Sequence, residues 1–176
     1  GRPAHAREMQ AGINAIDAAY QIVGALRVLE EQLNVEAGRH PLFQDLVHPI
    51  NLNIGQIEGG DWNSTVPASC TVHCRRSMLP GTPASELKRR IEQTISDFSR
   101  KMPGSGNTPP VIKWTGFSCE GYVLEEGSDA EKTLAEAHQA ISDTPMKRQV
   151  MPAYLDARVT ILYDKIPTLV YGPGGR

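Results

Sequence analysis

Two side chains of this sequence are best suited to act on a substrate, a histidine and an arginine. His5 stands in a loop of small residues, Gly1-Arg-Pro-Ala-His-Ala6. A few positions later Gly12-Ile-Asn-Ala-Ile16 opens an amphipathic helix. A histidine at a helix entrance is presented outward, and imidazole donates or accepts near neutral pH, although most loop histidines are merely solvated. Arg75 belongs to a stretch that alternates between two faces. Val66, Ala68, Cys70, Val72 and Cys74 point one way; Ser69, Thr71, His73 and Arg75 point the other. A planar fork of donors on that polar face suits a carboxylate, and it equally suits plain solvation on an open sheet.

Other combinations carry less chemistry. Cys70-x-x-His73-Cys74 has zinc-ligand residue types. On a strand, however, the two cysteines share a face about 13 Å apart and His73 faces away. They cannot meet at one ion, and buried free thiols are expected. His40 and His48 flank loop prolines and read as solvated, and His138 reads as a helix-face residue. Gly172-Pro-Gly-Gly175 lacks the phosphate-loop patterns and reads as a turn. There is no HExxH, no GxSxG and no His/Asp/Glu cluster with metal-ligand spacing. Taken alone, the sequence contains no complete catalytic apparatus.

The elements that must position His5 and Arg75 follow from periodicity. Ile16, Tyr20, Val23, Leu26, Leu29 and Leu33 recur at helical spacing within Ile13–Leu33. A strand is predicted over Pro49–Ile57 and a second over Thr65–Met78. They are joined across Gly59-Gly60-Asp61 as an antiparallel pair. Thr82 is expected to cap a second helix beginning at Pro83, with Leu87, Ile91, Ile95 and Phe98 as its buried stripe. After a Pro/Gly/Ser/Asn loop (101–110), a third strand is predicted over Val111–Cys119. The order helix, strand, strand, helix, strand lacks only a strand ahead of His5 to make βαββαβ, a split βαβ, ferredoxin-like two-layer sandwich. The sequence is therefore expected to begin inside a domain.

The pattern shifts near residue 120. Ser128-Asp-Ala-Glu131 is a capping box for a third helix. Short strands are expected at Lys147–Ala153 and Thr168–Tyr171, with a short helical or irregular piece at Asp156. This tail is too small for a core of its own and reads as a fragment of an α/β domain. The expected division is 1–120 and 121–176.

Composition narrows the class. The 176 residues include 40% hydrophobic and 22% charged residues, with net charge −2. That balance leaves no basic footprint for nucleic acid or an anionic membrane, and no apolar run reaches membrane-spanning length. Three cysteines make no even disulfide framework, so a reducing cytoplasm is the expected compartment. An RNA-binding sheet of the same topology needs stacking aromatics, which Ser69, Thr71, His73 and Arg75 do not supply.

Six segments together resemble the family of aminoacylase, acetylornithine deacetylase, succinyl-diaminopimelate desuccinylase and carboxypeptidase G. They are Gly1-Arg-Pro-Ala-His-Ala6, Gly12-Ile-Asn-Ala-Ile16, Ile57-Glu-Gly-Gly-Asp61, Val66-Pro-Ala-Ser-Cys70, Arg75 followed by Leu79-Pro-Gly81, and Ile166-Pro-Thr-Leu-Val-Tyr-Gly-Pro173. Their order and spacing match from the family's inserted dimerisation ("lid") domain into the last part of its catalytic domain.

The resemblance implies a two-zinc amide hydrolase that works as a homodimer through the lid. It implies that His5 reaches the partner subunit's active site and hydrogen-bonds the scissile carbonyl oxygen. It maps the carboxylate-binding arginine onto Arg75 and a further substrate-binding position, often Asn, onto Ser64. Asp156-Ala-Arg158 resembles a segment near the catalytic site, with Leu155 where Thr is common. The family's metal ligands and its general-base glutamate have no counterpart here. The expectation is no zinc on this chain alone and no hydrolysis by it alone. The parent would act on an N-acyl amino acid or related amide. The alternative of another class is a non-catalytic dimerisation or small-ligand-binding module of ferredoxin-like topology.

Overall fold

The structure, a computed structural model, describes residues 1–102 and 110–172. Most of the loop expected at 101–110 and the turn after Gly172 lie outside these residues. Two compact units form, Gly1–Leu79 with Pro83–Cys119, and Pro80–Thr82 with Glu120–Arg176. No helix among the described residues is long and apolar enough to cross a membrane.

In the first unit, helix α1 spans Ala15–Ala37. Asn14 starts it: its Oδ1 accepts from the amides of Ile16 (2.9 Å) and Asp17 (3.2 Å), two of the donors a helix start leaves free. Leu26, Leu29, Leu33 and Ala37 are buried at spacings of three and four. Tyr20, placed on that stripe by spacing, is instead exposed, and Ile22 packs beside Leu26.

Strands β1 (Leu52–Gly59) and β2 (Cys70–Arg76) pair antiparallel. Leu52 and Ile54, opposite Arg76 and Cys74, lie on the face that packs against α1 and α2. Asn53, Gln56 and Glu58, opposite Arg75, His73 and Thr71, make the open face. Regular alternation would turn Ile57, three residues beyond Ile54, to the open face. The register shift between Ile54 and Gln56 sets Gly55 in a bulge and returns Ile57 to the helix side opposite Val72.

Helix α2 (Ala84–Ser99) buries Leu87 and Ile95. Leu87 packs with Leu29, Leu33 and Ile50, and Ile95 with Leu26 and Leu52. The cap expected from Thr82 is not made. Pro83 is the N-cap, no side chain caps the helix, and the Pro83 carbonyl accepts the amide of Glu86 at 3.0 Å.

Polar side chains of α1 grip the start of β1. The Ile50 amide donates to Asn34 Oδ1 (2.9 Å), and its carbonyl accepts from Asn34 Nδ2 (2.8 Å). The Leu52 amide donates to Glu30, and the Leu52 carbonyl accepts from Arg27. Helix side chains thus take the place of a neighbouring strand at this edge.

Val111–Cys119, expected as a third strand, joins no ladder among the described residues, although Ile112 packs against the Leu26–Leu52–Ile95 cluster. In a split βαβ order the last strand lies against the first, not against β2, and no described residue takes that first position. The unit is α+β, with two helices on one face of an antiparallel sheet, which agrees with the expected class.

A bidentate pair ties the helices together. Arg90 donates to both carboxylate oxygens of Glu36, each at 2.7 Å. The Arg90 hydrogen bonds hold Glu36 below the usual carboxylate range despite partial burial. A depressed folded pKa means the pair stabilises above the unfolded value and is lost as pH falls through the folded one. Because Glu36 is 44% exposed, the gain at neutral pH is at most about 1 kcal/mol. In urea titrations the gap between unaltered protein and Glu36→Gln is expected at pH 7 and closes below about pH 4. A gap that persists in acid would contradict this.

In the second unit α3 spans Asp129–Ile141, and Ser128 Oγ accepts the Glu131 amide at 3.2 Å, as the capping box requires. The Glu131 carboxylate accepts from the Gly127 amide (2.7 Å) and from Arg148. His138 is held at both ring nitrogens, by the Tyr171 hydroxyl (2.7 Å) and the Thr144 carbonyl (2.9 Å). Helix α4 is Ala157–Leu162, and Arg158 lies over the Tyr154 ring at 5.1 Å. The strands expected at Lys147–Ala153 and Thr168–Tyr171 join no ladder among the described residues. An extended run is a strand only when a partner satisfies its backbone.

Candidate functional site

The His5 loop is fixed by backbone pairing on two sides. Arg2 and Ile13 exchange both hydrogen bonds (2.9 and 2.8 Å). Around the His5–Thr65 bridge, Ala6 N donates to the Ser64 carbonyl and Val66 N to the Ala4 carbonyl, each at 2.8 Å. Gly12 closes the loop where space is tightest. A Cβ there would meet the Arg2 carbonyl at 2.9 Å and Val66 Cγ1 at 3.0 Å.

Behind this loop stands the start of α1, and α1 is held on the sheet by its apolar stripe. His5 is therefore exposed on a short segment with little freedom of its own. Its Nδ1 accepts the Arg7 amide at 3.1 Å, at the entrance of a short 3-10 helix, Ala6–Ala11. That bond takes the Nδ1 lone pair, so the ring proton sits on Nε2. The outcome is a positioned N–H donor at the surface.

Ser64 is brought beside His5 through the Ala6 bond and is exposed. Arg75 is not. It lies on the open face opposite Asn53, exposed, near the far end of β2. His5 docks at the other end, on the residues leading into Cys70, and five residues of strand span about 17 Å. Within one chain the structure joins His5 with Ser64 and leaves Arg75 apart.

Cys70 and Cys119 are half-buried and Cys74 is exposed; all three are free. The thiols expected to be buried are thus only partly so: Cys74 stays exposed although Val72 and Arg76, its neighbours on the same face of β2, are half-buried. Burial pushes the Cys70 thiol up, away from a reactive thiolate. His73 is on the open face, opposite Gln56. Among the described residues no three His, Cys, Asp or Glu side chains are grouped to hold a metal ion.

Periodicity did not point to an open cleft beside His5, of about 520 Å³, lined in part by Met9, Asn14, Ile16, Asp61, Trp62 and Asn63. Two sequence signals were present: a tryptophan directly after a Gly-Gly turn, and a methionine following the histidine loop.

Comparison with known proteins places these features in context. The sequence profile described as a peptidase dimerisation domain matches residues 1–103. The chain is similar to the acetylornithine deacetylase of Aliivibrio salmonicida, 27% identical over 174 residues. It is also similar to those of Yersinia pseudotuberculosis, 28% over 181 residues, and Vibrio parahaemolyticus, 24% over 177 residues. Each match covers 99% of this chain and 41–42% of the relative, so the chain spans about two-fifths of the length of these curated relatives.

Proposed function

The chain belongs to the peptidase dimerisation-domain family, and from that premise we propose that it is part of a metal-dependent amide hydrolase. Residues 1–120 are the lid through which a homodimer forms, and 121–176 are a segment of the catalytic domain. The parent enzyme hydrolyses an N-acyl amino acid or related amide in the cytoplasm, and its catalytic domain holds two zinc ions. The described residues of this chain do not fit a zinc site.

The observation that carries this reading is His5. Its Nε2–H is a donor fixed in direction by the Nδ1 bond and in place by the two backbone bridges. When the carbonyl carbon of the amide becomes tetrahedral, its oxygen gains negative charge. A preset donor is worth most at that moment, because nothing must reorganise to meet the charge. His5 acts on the partner's substrate. Ser64, beside it, contacts the same substrate.

Arg75 holds the substrate's free carboxylate. Its separation from His5 along β2 supports a site in which the two residues come from different copies. The outer face of α1 supports the pairing of copies. Tyr20, Val28 and Val35 are 63%, 59% and 62% exposed. They fall within about 80° of helical arc, opposite the buried stripe. Apolar residues aligned this way on a long helix are what a second copy would cover.

Arg75→Met is expected to raise KM about 10- to 100-fold with little change in kcat, since charge-assisted bonds are worth about 1.5–3 kcal/mol. A substrate with an amidated carboxylate should not distinguish the two proteins. Equal KM for the free acid would remove Arg75 from the site. The reading as a whole is tested by assaying the full-length protein on N-acyl amino acids together with its metal content. A protein without metal and without amide hydrolysis would be the non-catalytic module instead.

A further inference from the structure

We infer that Trp62 and Met9 form a subsite for an apolar acyl group, and so set which N-acyl amino acids the enzyme prefers. The inference rests on the amide-hydrolase reading and goes beyond it by naming the acyl class. Trp62 is 70% and Met9 55% exposed, a large indole and a thioether facing one open cleft with Ile16. Trp62 is mounted firmly. Its carbonyl accepts the Thr65 amide at 3.1 Å, closing a turn. Gly60, with φ +79°, makes the preceding bend at a conformation that disfavours other residues. A Cβ at Gly60 would stand 3.6 Å from Ile16 Cδ1, so the turn is seated against the start of α1.

The cleft belongs to the His5 loop. Ala6, next to His5, lines it and is bonded to Ser64. His5 meets the scissile carbonyl oxygen, and that carbonyl is the acyl group's own. The amino-acid half of the substrate is anchored by its carboxylate at the Arg75 of the other copy, whereas the cleft belongs to the copy that supplies His5. What extends past His5 into the cleft is therefore the acyl chain. A cleft of about 520 Å³ exceeds what an acetyl group needs. An indole face and a polarisable thioether suit a long aliphatic or aromatic acyl group.

The test uses the full-length enzyme and one amino acid acylated with acetyl, butyryl, octanoyl or phenylacetyl. Trp62→Ala is expected to lower the octanoyl-to-acetyl ratio of kcat/KM by about tenfold or more. An unchanged ratio overturns the subsite, because a general loss of structure or assembly would affect all acyl groups alike. A second measurement does not depend on turnover. The protein is labelled with 5-fluorotryptophan, and the fluorine resonance of Trp62 is assigned by its loss in Trp62→Phe. Octanoate should shift that resonance and acetate should not. A resonance unmoved by octanoate overturns the subsite whatever His5 does. A His5→Ala enzyme of full activity would instead overturn the hydrolase role of this loop while leaving the octanoate shift in place.

Discussion

In the proposed dimeric hydrolase, His5→Ala is expected to lower kcat by about 10²- to 10³-fold, the loss that follows removal of one oxyanion donor. The fold tolerates the change. The imidazole is exposed, and its one hydrogen bond among the described residues is the acceptance of the Arg7 amide. Losing such a cap costs roughly 1 kcal/mol of local stability. The backbone bridges that hold the loop involve no side-chain atoms and persist. KM should change little, because the missing interaction strengthens only as charge develops on the oxygen. A variant with kcat within a few-fold of the unaltered enzyme would show that no transition-state charge is met here. The assay is steady-state kinetics on an N-acyl amino acid, with dimer content checked by light scattering.

Glu30→Gln has the second large effect, on stability. Glu30 is only 3% exposed. Burial alone would push its carboxyl up, yet hydrogen bonds from Arg27 and the Leu52 amide, with the charges of Arg27 and Arg76, leave it below the ordinary range. The partner most dependent on it is Arg76. None of the three Arg76 side-chain nitrogens reaches solvent or has a hydrogen-bond acceptor among the described residues. Burial draws the Arg76 pKa down, and the charge of Glu30 is the largest opposing influence. Removing the carboxylate charge takes away the largest influence opposing burial of that guanidinium. Because the two groups share no direct hydrogen bond, the cost falls toward the lower end of the about 3–5 kcal/mol for breaking a buried pair from one side. The loss should appear as a lower urea midpoint and as faster exchange of the Leu52 amide. Glu30→Gln with Arg76→Met should recover much of it, since the stranded charge is then gone. A single Glu30→Gln with an unchanged midpoint would mean the charges are solvated rather than coupled.

Local features of the sequence foretold much of this fold. The spacing of Leu26, Leu29 and Leu33, the alternation along β2, and the Ser128 cap are contacts between near neighbours, and they stand as read. What escaped depends on distant partners. Arg27, Glu30 and Asn34 look like an ordinary polar helix face, yet they bond the backbone of Ile50 and Leu52. The Gly55 bulge left a trace, since Ile54 and Ile57 are three apart and cannot share a face of a regular strand. Val111–Cys119 carries strand residues, but a ladder also needs a neighbour.

The same division holds for the site. His5 and Ser64 were named from separate segments, and the pairing of Ala6 with Ser64 joins them. The direction of the imidazole was not legible, because it depends on where the Arg7 amide points. The Trp62 cleft escaped for the same reason, being made by a turn and a helix start far apart in sequence. Membership of the family, by contrast, was carried by six short segments in register and needed no geometry.

Subunit mixing shows whether His5 serves the other subunit. One full-length chain carries His5→Ala and a second, with a different tag, carries an altered metal ligand of its catalytic domain. Each alone is inactive. In a mixed dimer the first chain keeps an intact catalytic domain and receives His5 from the second. With random assembly of a two-fold dimer, activity should return to about a quarter of the unaltered enzyme. Mixed dimers isolated through both tags that remain inactive would show that His5 does not act in trans.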